Sequence, residues 1–243
     1  MKICITSIVL SALFCFGTYT SRGQSASRPA DNIYTFKKGS ADGIGKYYMG
    51  REIAHIVSAS AATWLERDDR EQEENSNTAI QKMPLTPGET VADIGAGTGY
   101  YTFKIASKVP EGKVYAVEVQ DEMIKHLRNK KQELNNKNVE IVKGSSTSVN
   151  LPSGSVDLAI MVDVYHELEY PHEILQSIKK ALKPAGKILL IEYRGEDPAV
   201  QRNRLHKTTV QQLNKELAAN GFKLLYRGEF LPIQHFLLYW MNK

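Results

Sequence analysis

The sequence predicts an α/β fold: a doubly wound, mostly parallel seven-stranded sheet with an antiparallel last strand, preceded by N-terminal helices. Two observations carry this expectation. From Thr90 onward, short apolar runs alternate with stretches of helical spacing, the order of a parallel sheet with helices on both faces. At the C-terminus that rhythm breaks: two strand-like runs, Phe222–Phe230 and Ile233–Trp240, are separated only by Leu231-Pro232. A link so short cannot hold a parallel crossover, so these two strands must pair antiparallel.

The elements follow in chain order. Met1-Lys2 is a positive start, Ile3–Gly17 is an uncharged apolar run, and Thr18–Ala26 is small and polar. That layout predicts a signal peptide over residues 1–24 and an exported protein, periplasmic or extracellular, with no membrane span after signal removal. An uncleaved anchor is the alternative, and bulky Phe14 before Cys15 argues against lipidation. Both cysteines, Cys4 and Cys15, lie in this leader, so its removal excludes disulfides, thiolate metal sites and a cysteine nucleophile.

Residues 25–84 are expected to form an arm and a helical cap. Pro29, Gly39, Gly43 and Gly45 mark a loose arm over 27–45, and Ile53, Ile56, Val57, Ala61, Trp64 and Leu65 recur at helical spacing from Tyr47 to Leu65. The mixed-sign run from Glu66 to Glu74 suggests a solvated helix face or turn. A short helix near Thr78–Met83 ends at Pro84 and Pro87-Gly88.

Residues 85–243 form the main domain. Strands are expected at Thr90–Ile94, Lys113–Val119, Val139–Lys143, Val156–Val162 and Lys187–Tyr193, then the C-terminal pair. Helices follow Gly99 to about Val109, start at Asp121 as a cap, and cover Glu173–Leu182 and Thr209–Asn220. The net charge is +4; setting aside Lys2 and Arg22 leaves 29 basic against 27 acidic residues, a balance of +2. So even a balance gives no support for a nucleic-acid partner.

The chemistry concentrates at Val91-Ala92-Asp93-Ile94-Gly95-Ala96-Gly97-Thr98-Gly99, which joins a buried strand to a helix. Glycines let a ligand approach the backbone, and the helix start offers free N–H groups. The spacing is G-x-G-x-G, unlike the G-x-G-x-x-G of dinucleotide folds, which disfavours a nicotinamide-dependent oxidoreductase. Asp93 precedes the first glycine by two, and Glu118 ends the next strand, where a carboxylate can accept both hydroxyls of an adenosine ribose.

Asp93–Gly99 resembles motif I of the class I S-adenosyl-L-methionine-dependent methyltransferases, and Glu118 resembles their ribose-binding acid. Leu182-Lys183-Pro184-Ala185-Gly186-Lys187 resembles the family motif before the fifth strand, and the antiparallel seventh strand is a family feature. The resemblance covers roughly residues 85–243. Tyr47–Ala54 with Ala62–Arg67 further resembles a subgroup carrying export signals. It implies a methyltransferase of Rossmann-like fold, with S-adenosyl-L-methionine as cofactor and an unidentified small-molecule or protein acceptor. A catalytically silent nucleoside-binding module is the competing class.

The resemblance also implies the cofactor-binding set: Gly95, Ala96, Gly97 and Gly99 around the methionine end, Asp93 toward the amino group, Glu118 on the ribose and Val119 on the adenine. Relatives often carry an acid after the third strand; here Ser146 or Thr147 is the expected adenine contact. Asp163 and Tyr165 are candidates for framing the cofactor, and His166 for accepting a proton from the acceptor. Tyr47, Tyr48, Arg51, Trp64, Tyr193 and His235 are candidate acceptor contacts, with Glu192, Arg194, His206 and Gln234 as weaker ones. His166, His206 and His235 lie far apart without an H-x-x-x-H pair, so no metal is expected.

Overall fold

Nearly unbroken apolar runs along the central strands explain why the sheet is covered on both faces. The computed structural model describes residue 1 and residues 33–241, so the expected leader falls outside the described residues apart from Met1. Residues 33–241 carry ten strands and seven α-helices. They are β1 (Tyr34–Phe36), β2 (Gly43–Tyr48), β3 (Arg51–Ala54), α1 (Ala62–Leu65), α2 (Arg70–Glu74), α3 (Ser76–Lys82), β4 (Thr90–Ile94), α4 (Tyr100–Ala106), β5 (Lys113–Glu118) and α5 (Asp121–Glu133). The chain continues through β6 (Val139–Lys143), β7 (Val156–Val162), α6 (Pro171–Ala181), β8 (Leu182–Tyr193), α7 (Val210–Ala219), β9 (Phe222–Gly228) and β10 (Gln234–Met241).

The seven-stranded sheet has the order β6-β5-β4-β7-β8-β10-β9. Pairings from β6 through β8 are parallel, and β10 runs antiparallel to both β8 and β9, as the two-residue link required. Successive residues feed opposite faces. On β8, Ile188 and Leu190 enter one core with Ala159 and Met161 of β7, while Leu189 and Ile191 enter the other with Leu158 and Ile160. The chain runs outward from β4 through β5 to β6, then crosses to β7 on the other side of β4. That reversal opens a crevice at the carboxyl ends of β4, β5 and β7.

The segment before this sheet departs from the expectation. Residues expected as a loose arm and the start of a helix form a three-stranded antiparallel sheet, β1-β2-β3, and only the short helices α1 to α3 follow it. The cause is the pair Met49-Gly50, with φ of 49° and 97°, both left-handed as a two-residue hairpin of the I′ kind requires. The mixed-charge run is not simply solvated either: Arg70 and Glu74 are buried on α2, and Glu74 accepts from Arg67 and Arg70 at 2.8 Å each. At α5 the capping position is Gln120 without a side-chain cap, and Asp121 is the first helical residue. Among the described residues no helix is long and apolar enough to cross a membrane.

Candidate functional site

The crevice is a cavity of about 500 Å³, within the range of roughly 300–1,000 Å³ typical of small-molecule and cofactor sites. Its floor is the turn after β4, where Gly95, Ala96, Gly97 and Thr98 line it. Gly95 has φ +71°, and a Cβ there would lie 2.7 Å from both methyl carbons of Val164. At Gly97, φ is +55° and the nearest neighbour of an added Cβ is Leu65 at 3.3 Å, so main chain is bared to the cavity. Gly99 stands just outside the cavity lining at the start of α4, where a Cβ would strike Phe103 and Leu127.

Asp93 closes β4 beneath this turn and accepts the Thr102 hydroxyl at 2.6 Å. Burial raises its carboxyl to about 6 although that hydrogen bond opposes the rise, and the Glu118 charge adds to it. Glu118 ends β5 with its side chain held by main chain: Gly97 N–H donates to Oε2 at 2.9 Å, and Val119 and Gln120 N–H donate to Oε1 at 2.7 and 2.9 Å. Three fixed donors orient the carboxylate, and its remaining lone pairs are free to accept. Val119 lines the cavity beside it.

The serines after β6 need correction. Ser145 N–H donates to the Ser148 carbonyl at 2.8 Å, closing a tight turn that throws Ser146 and Thr147 out into solvent. Gly144, Ser145 and Ser148 line the cavity instead.

At the end of β7, Asp163 has φ +52° and is half-buried. Its Oδ2 accepts from Gln234 at 2.7 Å, while Oδ1 has no partner. Burial and the nearby Glu74 and Glu192 charges push this carboxyl well above its ordinary range. His166 follows on a single turn of 3-10 helix, with Nδ1 2.6 Å from Glu192 and Nε2 3.1 Å from His206 Nδ1. Burial opposes charge on this imidazole, yet Glu192 and Glu167 outweigh it and push it up to about 10. In this state His166 is a hydrogen-bond donor at neutral pH, which removes the ready proton acceptor that the sequence suggested. Glu167 Oε2 accepts from Val57 N–H at 3.1 Å, and its Oε1 is buried without a hydrogen-bond partner.

Tyr165, expected at the cofactor, points into the core and donates to Glu216 at 2.8 Å. Arg51 forms a two-pronged pair with Glu216 at 2.8 and 2.9 Å, also away from the cavity lining. Tyr48 is buried beneath the cap, its hydroxyl accepting from Asn220 at 2.7 Å, and Tyr47 lies on the same strand outside the cavity lining. His235 bonds Glu196 at 2.9 Å in a separate shallow hollow with Arg194 and Arg227. Of the expected acceptor contacts, Trp64, Tyr193 and His206 line the cavity.

The cap closes over the end of the cavity beside the glycine turn. Gln120 holds it twice, accepting from Ala59 N–H at 3.1 Å and donating to the Val57 carbonyl at 3.0 Å. Arg70 stacks on Tyr100 at 4.2 Å and Arg202 on Tyr193 at 4.6 Å, placing two guanidinium groups in the cavity walls. Arg70, Tyr100, Tyr101, Gln120 and Arg202 are lining residues that the sequence did not point to. Only the run Tyr100-Tyr101, directly after the glycines, carried a local signal.

Residues 85–236 match the family described as a methyltransferase domain. A solved S-adenosylmethionine-dependent methyltransferase from Aquifex aeolicus superposes with a TM-score of 0.72 at 25% identity, over 76% of this chain and all of that one. Among curated proteins, the ubiquinone/menaquinone biosynthesis C-methyltransferase UbiE of Ectopseudomonas mendocina (strain ymp) is 29% identical over 116 residues, 47% of this chain and 45% of that protein. The enzyme of the same name from Salmonella arizonae is 28% identical over 142 residues, 58% of this chain and 52% of its own length. The chain thus spans about half the length of the curated relatives it matches.

Proposed function

The chain belongs to the methyltransferase domain family, and from that premise we propose that it moves a methyl group from S-adenosyl-L-methionine to a small acceptor held in the same cavity. The observation that carries this reading is the Glu118 carboxylate, fixed by three main-chain N–H groups at the edge of the bare glycine turn. The fit to the nucleoside is chemical as well as spatial. Glu118 offers lone pairs to two ribose hydroxyls, Val119 an apolar face to the base, and Asp93 a buried acid near the turn for the amino group.

When bound, S-adenosyl-L-methionine supplies an electrophilic methyl on a sulfonium. The chain's residues then have to bind, orient and exclude water. Holding donor and acceptor in line can lower the barrier by roughly 7–11 kcal/mol without a general base. That suits a site whose histidine at the end of β7, His166, is drawn toward its protonated form by Glu192 and Glu167. Trp64, Tyr100, Tyr101 and Tyr193, with Arg70 and Arg202 stacked among them, favour a planar acceptor bearing negative charge or hydroxyls. The charge pattern of residues 1–24 supports export, and mass spectrometry of the secreted protein's N-terminus tests that part.

Titration calorimetry with S-adenosyl-L-methionine tests the cofactor site. Hydrogen bonds to a charged group are worth roughly 1.5–3 kcal/mol, so Glu118→Ala is expected to weaken binding about 10- to 100-fold. Equal affinity in that variant rejects the assignment. Transfer of labelled methyl to a small molecule in cell extract tests the activity, and binding without transfer to any acceptor rejects it.

A further inference from the structure

At the end of the cavity beyond β7, three side chains from two separate turns converge. His166 Nε2 and His206 Nδ1 are 3.1 Å apart. Glu167 Oε1 lies 3.6 Å from the first and 3.3 Å from the second. We propose that His166, Glu167 and His206 form a binding site for a first-row divalent cation, of the manganese, cobalt or zinc class.

The spacing fits. Metal–nitrogen and metal–oxygen bonds are about 2.0–2.2 Å long, and ligands at angles of about 90–110° then stand about 3.0–3.5 Å apart. Two of the three separations fall within that span and the third lies just above it, so a cation a little off the plane of the three atoms reaches all of them. The donor set, two imidazoles and one carboxylate with the other positions open, is one that zinc takes in hydrolytic sites and iron(II) in oxygenases, so it suits first-row divalent ions.

Two further observations point to a ligand here. Glu167 Oε1 has no hydrogen-bond partner although its side chain is only 9% exposed. An oxygen so placed, facing two ring nitrogens, is met either by a proton on one of them or by a cation between all three, and a cation binding there displaces that proton. The ligand atoms are also aimed from behind. Glu192, itself fully buried, accepts from His166 Nδ1 at 2.6 Å, and Val57 N–H donates to the other oxygen of Glu167. A carboxylate behind a histidine is the usual way to fix which ring nitrogen faces a metal.

All three residues line the same cavity as the glycine turn, so the open coordination positions face the space assigned above to the acceptor. The site stands on its own geometry and does not depend on methyl transfer.

The test uses the full chain, stripped with chelator and free of any histidine tag. Calorimetric titration with Mn²⁺, Co²⁺ and Zn²⁺ separately is expected to show one cation per chain for at least one of them. Glu167→Gln and His206→Asn should each weaken it at least tenfold, with circular dichroism checking that both fold. Should either variant misfold, paramagnetic Co²⁺ on the wild type decides. It should shift the imidazole proton signals of His166 and His206 and leave those of His235, bonded elsewhere, in place. No binding of any of the three ions overturns the site, as does unchanged affinity in folded variants or equal shifts at His235. Cation binding without S-adenosylhomocysteine binding upholds the site and overturns the methyltransferase reading alone.

Discussion

Asp93 shows how a single buried carboxyl links stability to ligand. Its folded pKa, about 6, stands above the ordinary 3.8, so the folded chain holds a proton that the unfolded chain gives up. The contribution to stability is therefore complete below the lower value and is lost as pH rises through the upper one. The shift corresponds to about 3 kcal/mol. Urea unfolding of the free protein is expected to show Asp93→Asn gaining on wild type between pH 4 and 7; a constant difference contradicts the assignment. A cationic amino group of the cofactor would select the carboxylate form, so affinity should fall about tenfold per pH unit below about 6. A flat profile from pH 5 to 8 rules that contact out. The places of Asp93 and Glu118 at the cavity were legible in the sequence because each lies at the carboxyl end of a buried strand. Ser146 and Thr147 were misplaced because a hydrogen bond between Ser145 and Ser148 decides which hydroxyl faces in, and no local pattern records it.

At the level of elements, the central parallel strands were legible because burial on both faces writes an almost unbroken apolar run into them. Val156–Val162 and Val139–Lys143 have the expected bounds. The N-terminal sheet was hidden by a coincidence of spacing: Ile53, Ile56 and Val57 mimic a helical stripe, while Met49-Gly50 makes a hairpin that flips the chain. The dipeptide was the signal available, set between Tyr47-Tyr48 and the strand residues after it. The glycine turn gives an element-scale prediction. Gly95→Ala puts a Cβ 2.7 Å from Val164 at φ +71°, whereas Gly154 at φ +63° has nothing within 4 Å. Both variants bear left-handed strain of roughly 1–2 kcal/mol, so chemical denaturation should show Gly95→Ala the more destabilised of the two. Cofactor affinity should fall only in Gly95→Ala. Equal costs would mean that the turn tolerates a side chain against Val164.

For residues 33–241 together, the cap depends on charges buried between distant segments. Arg51 of β3 and Glu216 of α7 meet with side chains 9% and 0% exposed. Glu74 of α2 is held by Arg67, Arg70 and the Tyr193 hydroxyl. Partners 165 and 119 residues apart carry no local trace of one another, which is why the cap's docking could not be read in advance. Removing one member of a buried pair strands the other and costs roughly 3–5 kcal/mol. Arg51→Met should lose about that much in urea unfolding, and the double variant with Glu216→Leu should recover most of it. A single-variant loss below 1 kcal/mol would mean water reaches the pair.

On the function proposed, one carboxylate and one bare turn hold an adenosine ribose and a sulfur-bearing side chain. A crystal structure with S-adenosylhomocysteine is the decisive measurement. Both ribose hydroxyls are expected within hydrogen-bonding distance of Glu118, with the sulfur facing the space between Gly95 and His166. Density for the nucleoside elsewhere in the cavity, with Glu118 making only its three main-chain contacts, would contradict it.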